Sequence, residues 1–175
     1  MVKSIVLIGY MGCGKSAVGK RLATLKSLSF IDLDEYIESK EKTTISQIFE
    51  QEGELSFRKK ERFYLEKLLS KDPQAVISLG GGTPCYFNNI DFVVQKKDFL
   101  SLYLKASPKI LAGRLFNQKD HRPMIAHLHT LKELEEFIAK HLFERVPFYI
   151  KALHHITTDH YHVDELVNRI DKLLA

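Results

Sequence analysis

Residues Gly9 to Ser16, which read Gly-Tyr-Met-Gly-Cys-Gly-Lys-Ser, constrain this chain more than any other stretch. They fit G-x-x-x-x-G-K-[ST], directly after the apolar run Ile5–Ile8 and directly before Ala17–Ala23. That order predicts a buried strand, a loop and a helix, the context in which the pattern binds phosphate. Glycines let the backbone turn its N–H groups toward phosphate oxygens, and the positive end of the helix adds partial charge. Gly12, Cys13, Gly14, Lys15, Ser16 and Ala17 are the candidate contacts, with Lys15 able to reach the β- and γ-phosphates and the Ser16 hydroxyl able to ligate Mg²⁺.

A chain of 175 residues buries a substantial core, and one domain over 1–175 is expected. With 45% hydrophobic and 27% charged residues it falls in the globular class, not the disordered or fibrous ones. The net charge is +4, but Lys and Arg are scattered among acids with no basic block, which favours a small anionic substrate over nucleic acid. Of the two cysteines, Cys13 lies inside the loop, where a disulfide would hamper the backbone; with Cys85 free as well, a reducing cytoplasm is the simpler expectation. The first apolar run is too short for a signal peptide and no stretch suits a membrane span, so no membrane partner is expected.

Strand and helix patterns alternate along the chain. Strands are predicted at Ile5–Ile8, Phe30–Leu33, Ala75–Leu79, Phe99–Leu104 and His154–Thr157. Helices are predicted over Asp34–Lys40, from an N-cap at Thr44, over Leu55–Leu69, after Ser107-Pro108, up to Tyr149, and over the apolar stripe Val163, Leu166, Val167, Ile170, Leu173 and Leu174. This alternation implies a parallel sheet whose ligands lie beyond the carboxyl ends of the strands. The polar stretch 117–129, centred on His121-Arg122-Pro123, reads as a mobile lid.

Strand alternation would send Asp32 and Asp34 the same way, and two carboxylates aimed at one spot imply a nearby cation or acidic hydroxyl. Beside a phosphate loop that cation is Mg²⁺, with Ser16 and Asp32 as its candidate ligands. Asp34 also suits the N-cap of a helix opening at Glu35, and both roles can coexist. Arg58 and Glu61 share a helix face, and spacing alone favours a surface ion pair between them. Phe49 and Phe57 are most simply core residues. Gly80-Gly81-Gly82 either admits a ligand to the backbone or makes a tight turn. Arg145 either caps the end of its helix or grips a carboxylate with its fork.

Taken in order, these features resemble the shikimate kinase family over nearly the whole chain. The matching elements are Gly9–Ser16, Asp32-Leu-Asp34, Phe57-Arg58-x-x-Glu61, Gly80-Gly81-Gly82, Arg114, Arg122-Pro123 and Arg145-x-x-x-Tyr149. The resemblance implies a three-layer α/β/α P-loop kinase fold on a five-stranded parallel sheet with a mobile lid. It implies MgATP as donor, the shikimate 3-hydroxyl as acceptor and a monomer as the working unit. It would put Asp34, Arg58, Gly80, Gly81, Gly82 and Arg145 on shikimate, with Phe49 and Phe57 lining that pocket and Glu61 orienting Arg58. Arg114 would flank the adenine, opposite Thr158-Asp159-His160, and Arg122 would reach the phosphates from the lid; Lys15, Asp34 and Arg122 would be catalytic. Ala17 stands where the family often has Thr or Ser, and Cys13 replaces a commoner small residue. A neighbouring P-loop kinase such as a gluconate kinase, or a nucleotide-binding module without catalysis, are the alternatives.

Overall fold

The computed structural model describes residues 4–71, 73–119, 122 and 124–174. Five strands, β1 (Ser4–Ile8), β2 (Ser29–Asp32), β3 (Ala75–Ser78), β4 (Phe99–Lys105) and β5 (His154–Thr157), pair in parallel in the order β2-β3-β1-β4-β5. Val6 lies opposite Ile77 on one side and Ser101 on the other. Helices α1 (Lys15–Lys26), α2 (Leu33–Glu41), α3 (Ile45–Ser70), α4 (Asn89–Val94), α5 (Pro108–Phe116), α6 (Leu131–Tyr149) and α7 (Val163–Leu174) flank the sheet. Helices on both faces bury every residue of β1, which is why its sequence is a continuous apolar run instead of an alternating one. The chain leaves β1 toward β2 and β3 on one side and reaches β4 and β5 on the other. The carboxyl end of β1 is therefore the switch point at which such sheets hold ligands.

The expected elements are present with shifted ends. β2 stops at Asp32, and Leu33 already opens α2. Asp32, not Asp34, is the N-cap: its Oδ1 accepts from the Asp34 and Glu35 amides at 3.0 and 3.4 Å. The two helices expected on either side of Gly53 are both present within the α3 span, which breaks where Gly53 leaves helical backbone at φ 82° and ψ 169°. Thr44 caps α3 in a reciprocal box with Gln47, and Ser107 caps α5. The start of α6 is equally legible, since Thr130 and Glu133 form the same box. In α7 only Leu166, Val167 and Ile170 are buried; Val163 and Leu173 are exposed. Among the described residues no helix is long and apolar enough to cross a membrane.

Candidate active site

The phosphate loop joins β1 to α1 and faces a cavity of about 490 Å³. Gly12 (φ 78°) and Gly14 (φ 103°, the N-cap of α1) hold left-handed backbone that other residues adopt only at a cost. Gly12, Gly14, Lys15, Ser16 and Ala17 line the cavity together with Asp32, Asp34, Gly80, Gly81, Arg114 and Arg122. Lys15 Nζ lies over the loop, donating to the Gly9 and Tyr10 carbonyls at 2.7 and 3.0 Å. The Cys13 side chain turns into the core and is 1% exposed, so only its backbone can meet a nucleotide.

Asp32 and Asp34 reach this cavity from different elements: one ends β2 and the other lies in the first turn of α2, so strand alternation is not what brings them together. Asp34 Oδ1 is buried and finds no hydrogen-bond partner among the described residues. Burial pushes the Asp34 carboxyl up to about 7, the Glu61 and Asp32 carboxylates add to the rise, and Lys15 and Arg58 oppose it. A buried carboxyl poised near neutrality suits proton transfer. Asp32, Asp34 and the Ser16 hydroxyl are hard oxygen donors at one cavity, a set that suits Mg²⁺ shared with phosphates.

On the acceptor side the pair on α3 is not at the surface. Arg58 is 8% and Glu61 1% exposed, and Arg58 Nη1 donates to Glu61 Oε2 at 2.7 Å. Breaking such a buried pair by removing one partner typically costs about 3–5 kcal/mol, an order above an exposed pair. Glu61 Oε1 accepts from the Thr83 hydroxyl at 2.6 Å, which fixes the carboxylate from its other side. Arg58 Nε and Nη2 reach Glu54 Oε1 at 3.3 Å, and the guanidinium lies 4.3 Å from the centre of the Tyr86 ring. The contacts to Thr83, Glu54 and Tyr86 lie beyond the sequence reading, although Glu54 stands at the i,i+4 spacing that signals it.

The triple glycine makes room for side chains. A Cβ on Gly80 would lie 3.0 Å from Asp34 Oδ1, one on Gly81 3.3 Å from Arg145 Nη1, and one on Gly82 2.6 Å from Arg58 Nη1 and Nη2. Three consecutive glycines thus let a carboxyl and two guanidinium groups converge on one strand end. Arg145 is not a C-terminal cap, because α6 continues to Tyr149. No carboxylate among the described residues pairs with it. Arg58, Glu61, Gly82, Arg145, Phe49 and Phe57 lie outside the lining of the 490 Å³ cavity. Phe57 is core at 3% exposed, but Phe49, its ring partner at 4.8 Å, is 36% exposed and not a core residue.

Arg114 is clamped between two segments. Nη1 donates to Gly12 O and Thr158 Oγ1 at 3.3 and 3.4 Å, and Nη2 donates to Thr158 O at 3.1 Å. A second cavity of about 250 Å³ adjoins it, walled by Tyr161, His162 and Val163. Of the Thr158-Asp159-His160 stretch, Thr158 holds the arginine and Asp159 accepts from the Ser107 amide at 2.9 Å. Arg122 is half-buried and borders the first cavity. Its carbonyl accepts from the Ile125 and Ala126 amides at 3.0 Å, and Ile125 is fully buried. His121 and Pro123 of the expected lid centre lie outside the described residues.

Known proteins are similar to this chain in sequence and in fold. A family model described as shikimate kinase matches residues 11–175. A shikimate kinase of Flavobacterium johnsoniae is 45% identical over 174 residues, covering 99% of this chain and 100% of that protein. Among solved structures, the shikimate kinase from Bacteroides thetaiotaomicron aligns with TM-score 0.85 at 34% identity, covering 98% of this chain and 97% of that one. The shikimate kinase from Acinetobacter baumannii in complex with shikimate aligns with TM-score 0.87 at 32% identity, covering 99% and 93%. With a family model spanning nearly all of the chain and relatives matched end to end, the chain belongs to the shikimate kinase family, whose members are ATP-dependent kinases.

Proposed function

We propose that this chain transfers the γ-phosphoryl group of MgATP to the 3-hydroxyl of shikimate, giving shikimate 3-phosphate for aromatic amino-acid (chorismate) biosynthesis. The observation that carries the reading is Asp34: a buried carboxyl with an unpartnered oxygen and a pKa near 7, on the cavity shared by the phosphate loop and the triple glycine. Asp34 aligns the attacking hydroxyl and takes its proton as the new P–O bond forms and the bond to the β-phosphate bridging oxygen breaks, releasing ADP. Arg58 and Arg145 hold the acceptor carboxylate, and Gly80, Gly81 and Gly82 give the backbone room for it. Phe49 and Phe57 form its apolar margin, and Glu61 orients Arg58.

On the donor side Gly12, Cys13, Gly14 and Ala17 present backbone to the phosphates. Lys15 leaves its loop carbonyls for the β- and γ-phosphates, and Arg122 adds a second positive charge. Arg114, held by Gly12 and Thr158, would flank the adenine. Ser16 and Asp32 would hold Mg²⁺, which when bound neutralises charge on the phosphate oxygens. Closure of the 117–129 segment keeps water from the phosphoryl group. The working unit is a cytoplasmic monomer whose partners are ATP and shikimate.

Coupled ADP release with shikimate, gluconate and a nucleoside monophosphate as acceptors, with and without Mg²⁺, tests the reading. Shikimate-dependent turnover that needs Mg²⁺ is the expected result. Turnover of gluconate without shikimate would reassign the acceptor, and ATP binding without transfer would leave a binding module.

A further inference from the structure

Tyr10 occupies the second position of the phosphate loop, yet its side chain turns away from the nucleotide cavity. It is 1% exposed. Its hydroxyl is hydrogen-bonded to His141 Nδ1 at 2.9 Å, and the two rings meet edge to face at 5.5 Å. One turn along α6 from His141, the Arg145 guanidinium carbon lies 5.8 Å from the centre of the same tyrosine ring. The backbone of Tyr10 faces the other way: its carbonyl accepts from Lys15 Nζ at 3.0 Å. One residue thus touches the phosphate-handling lysine through its main chain and the acceptor-holding helix through its side chain.

The joint around it is tight. A Cβ on Gly81 would lie 3.6 Å from both Gly9 O and Met11 N, so the phosphate loop and the triple glycine are in direct contact. The Tyr149 hydroxyl, also on α6, donates to Gly81 O at 2.5 Å. Burial pushes the Tyr10 hydroxyl up to about 12, so it stays protonated at neutral pH. Burial, with Arg145 second, holds His141 below its ordinary value, so the ring is neutral at neutral pH and one of its nitrogens, Nδ1, pairs with the phenol. His141 is held in turn by the Phe137 ring at 5.5 Å.

We propose that Tyr10 is a positioning residue for phosphoryl transfer: through His141 and Arg145 it fixes the acceptor-holding face of α6 in register with the phosphate loop. Each substrate has its own anchors, so loss of this tie leaves both affinities nearly intact. What changes is the distance and angle between the attacking oxygen and the phosphorus, to which transfer is steeply sensitive. This inference rests on the shikimate kinase reading.

The test measures kcat by coupled ADP release, and dissociation constants of ATP and shikimate by calorimetry, for the wild type, Tyr10→Phe, His141→Ala, His141→Gln and the double variant Tyr10→Phe/His141→Ala. Tyr10→Phe and His141→Ala each lower kcat about ten-fold, short of the ~10² of a full 1 Å misplacement, with both dissociation constants within about two-fold. The double variant is no slower than either single one, and His141→Gln, whose amide can still meet the phenol, regains most of the rate. Unchanged kcat, additive losses, or weakened shikimate binding at normal kcat would overturn the proposal. Should Tyr10→Phe not fold, the contrast between His141→Ala and His141→Gln decides. A wild type without shikimate turnover sinks the parent reading and this one together; a turning-over wild type with unaffected variants sinks this one alone.

Discussion

Gly82 and Arg58 compete for one space: a Cβ on the glycine would sit 2.6 Å from both terminal nitrogens of the guanidinium. The backbone of Gly82 is ordinary right-handed, at φ −87°, so alanine fits the chain and only the arginine must move. Gly82→Ala therefore separates the arginine's placement from the fold. We expect its shikimate affinity to fall about ten-fold, ATP affinity to stay unchanged, and the thermal midpoint to drop by only a few degrees. Calorimetry with each substrate and a melting curve check it. Normal shikimate affinity in a folded Gly82→Ala would mean that Arg58 does not need its present position.

Asp34 lies near Gly80 in the same way, and its raised pKa gives two opposite consequences. Between about 4 and 7 the folded protein keeps a proton on Asp34 that the unfolded chain has lost, so stability falls as pH rises through that window. Above 7 the cost of the buried carboxylate is fully present. Asp34→Asn removes it, so we expect a higher melting midpoint than wild type at pH 8 and little difference at pH 4. Transfer should fall by ~10²–10⁴, the contribution of a positioned base. In the wild type kcat/KM should rise with pH and level off above about 7. A variant with normal turnover, or a lower midpoint at pH 8, would count against this account.

The parts of this site that follow from local sequence are legible in it, and those that depend on packing are not. The phosphate loop needs only its own glycines and neighbours, so Gly9–Ser16 is readable from eight residues. Asp32 and Asp34 stand out in the sequence for the wrong reason, because a strand end and a first helical turn look alike when the boundary shifts by one residue. Arg58 and Glu61 have the spacing of any surface pair; what distinguishes them is burial under Thr83, Tyr86 and Gly82, which come from more than 20 residues away in sequence. The choice between a turn and a ligand cradle at Gly80–Gly82 stays open in the sequence because its answer lies on α2, α3 and α6.

Arg58→Lys and Arg145→Lys keep the charge and lose the planar fork. Arg58 is the more constrained of the two, since Nη1, Nη2 and Nε are already engaged by Glu61 and Glu54. We expect both variants to weaken shikimate binding by ten-fold or more, and Arg58→Lys also to lower stability by ~1–3 kcal/mol by leaving Glu61 under-satisfied. Titration calorimetry and denaturant unfolding separate the two effects. Equal stability of both variants would mean that an ammonium group replaces the guanidinium on Glu61 without loss.

Arg122 should act in transfer more than in binding. Its side chain borders the cavity of the phosphate loop, and no ion pair or side-chain hydrogen bond joins it to another described residue. A half-buried guanidinium without a carboxylate among the described residues is held ready for an anion that arrives with the nucleotide. It stands on the 117–129 segment, next to Ile125, which is fully buried and ties that stretch to the body of the protein. Contact with the phosphates strengthens as negative charge spreads over the transferred group, so the arginine favours the transition state over the ground state. Arg122→Ala should lower kcat by ~10²–10³, the scale of one lost preorganised donor, while shikimate affinity stays within about two-fold. Steady-state kinetics with both substrates varied decide it. An unchanged kcat would make Arg122 a surface residue, and a large rise in shikimate KM at normal kcat would move it to the acceptor pocket.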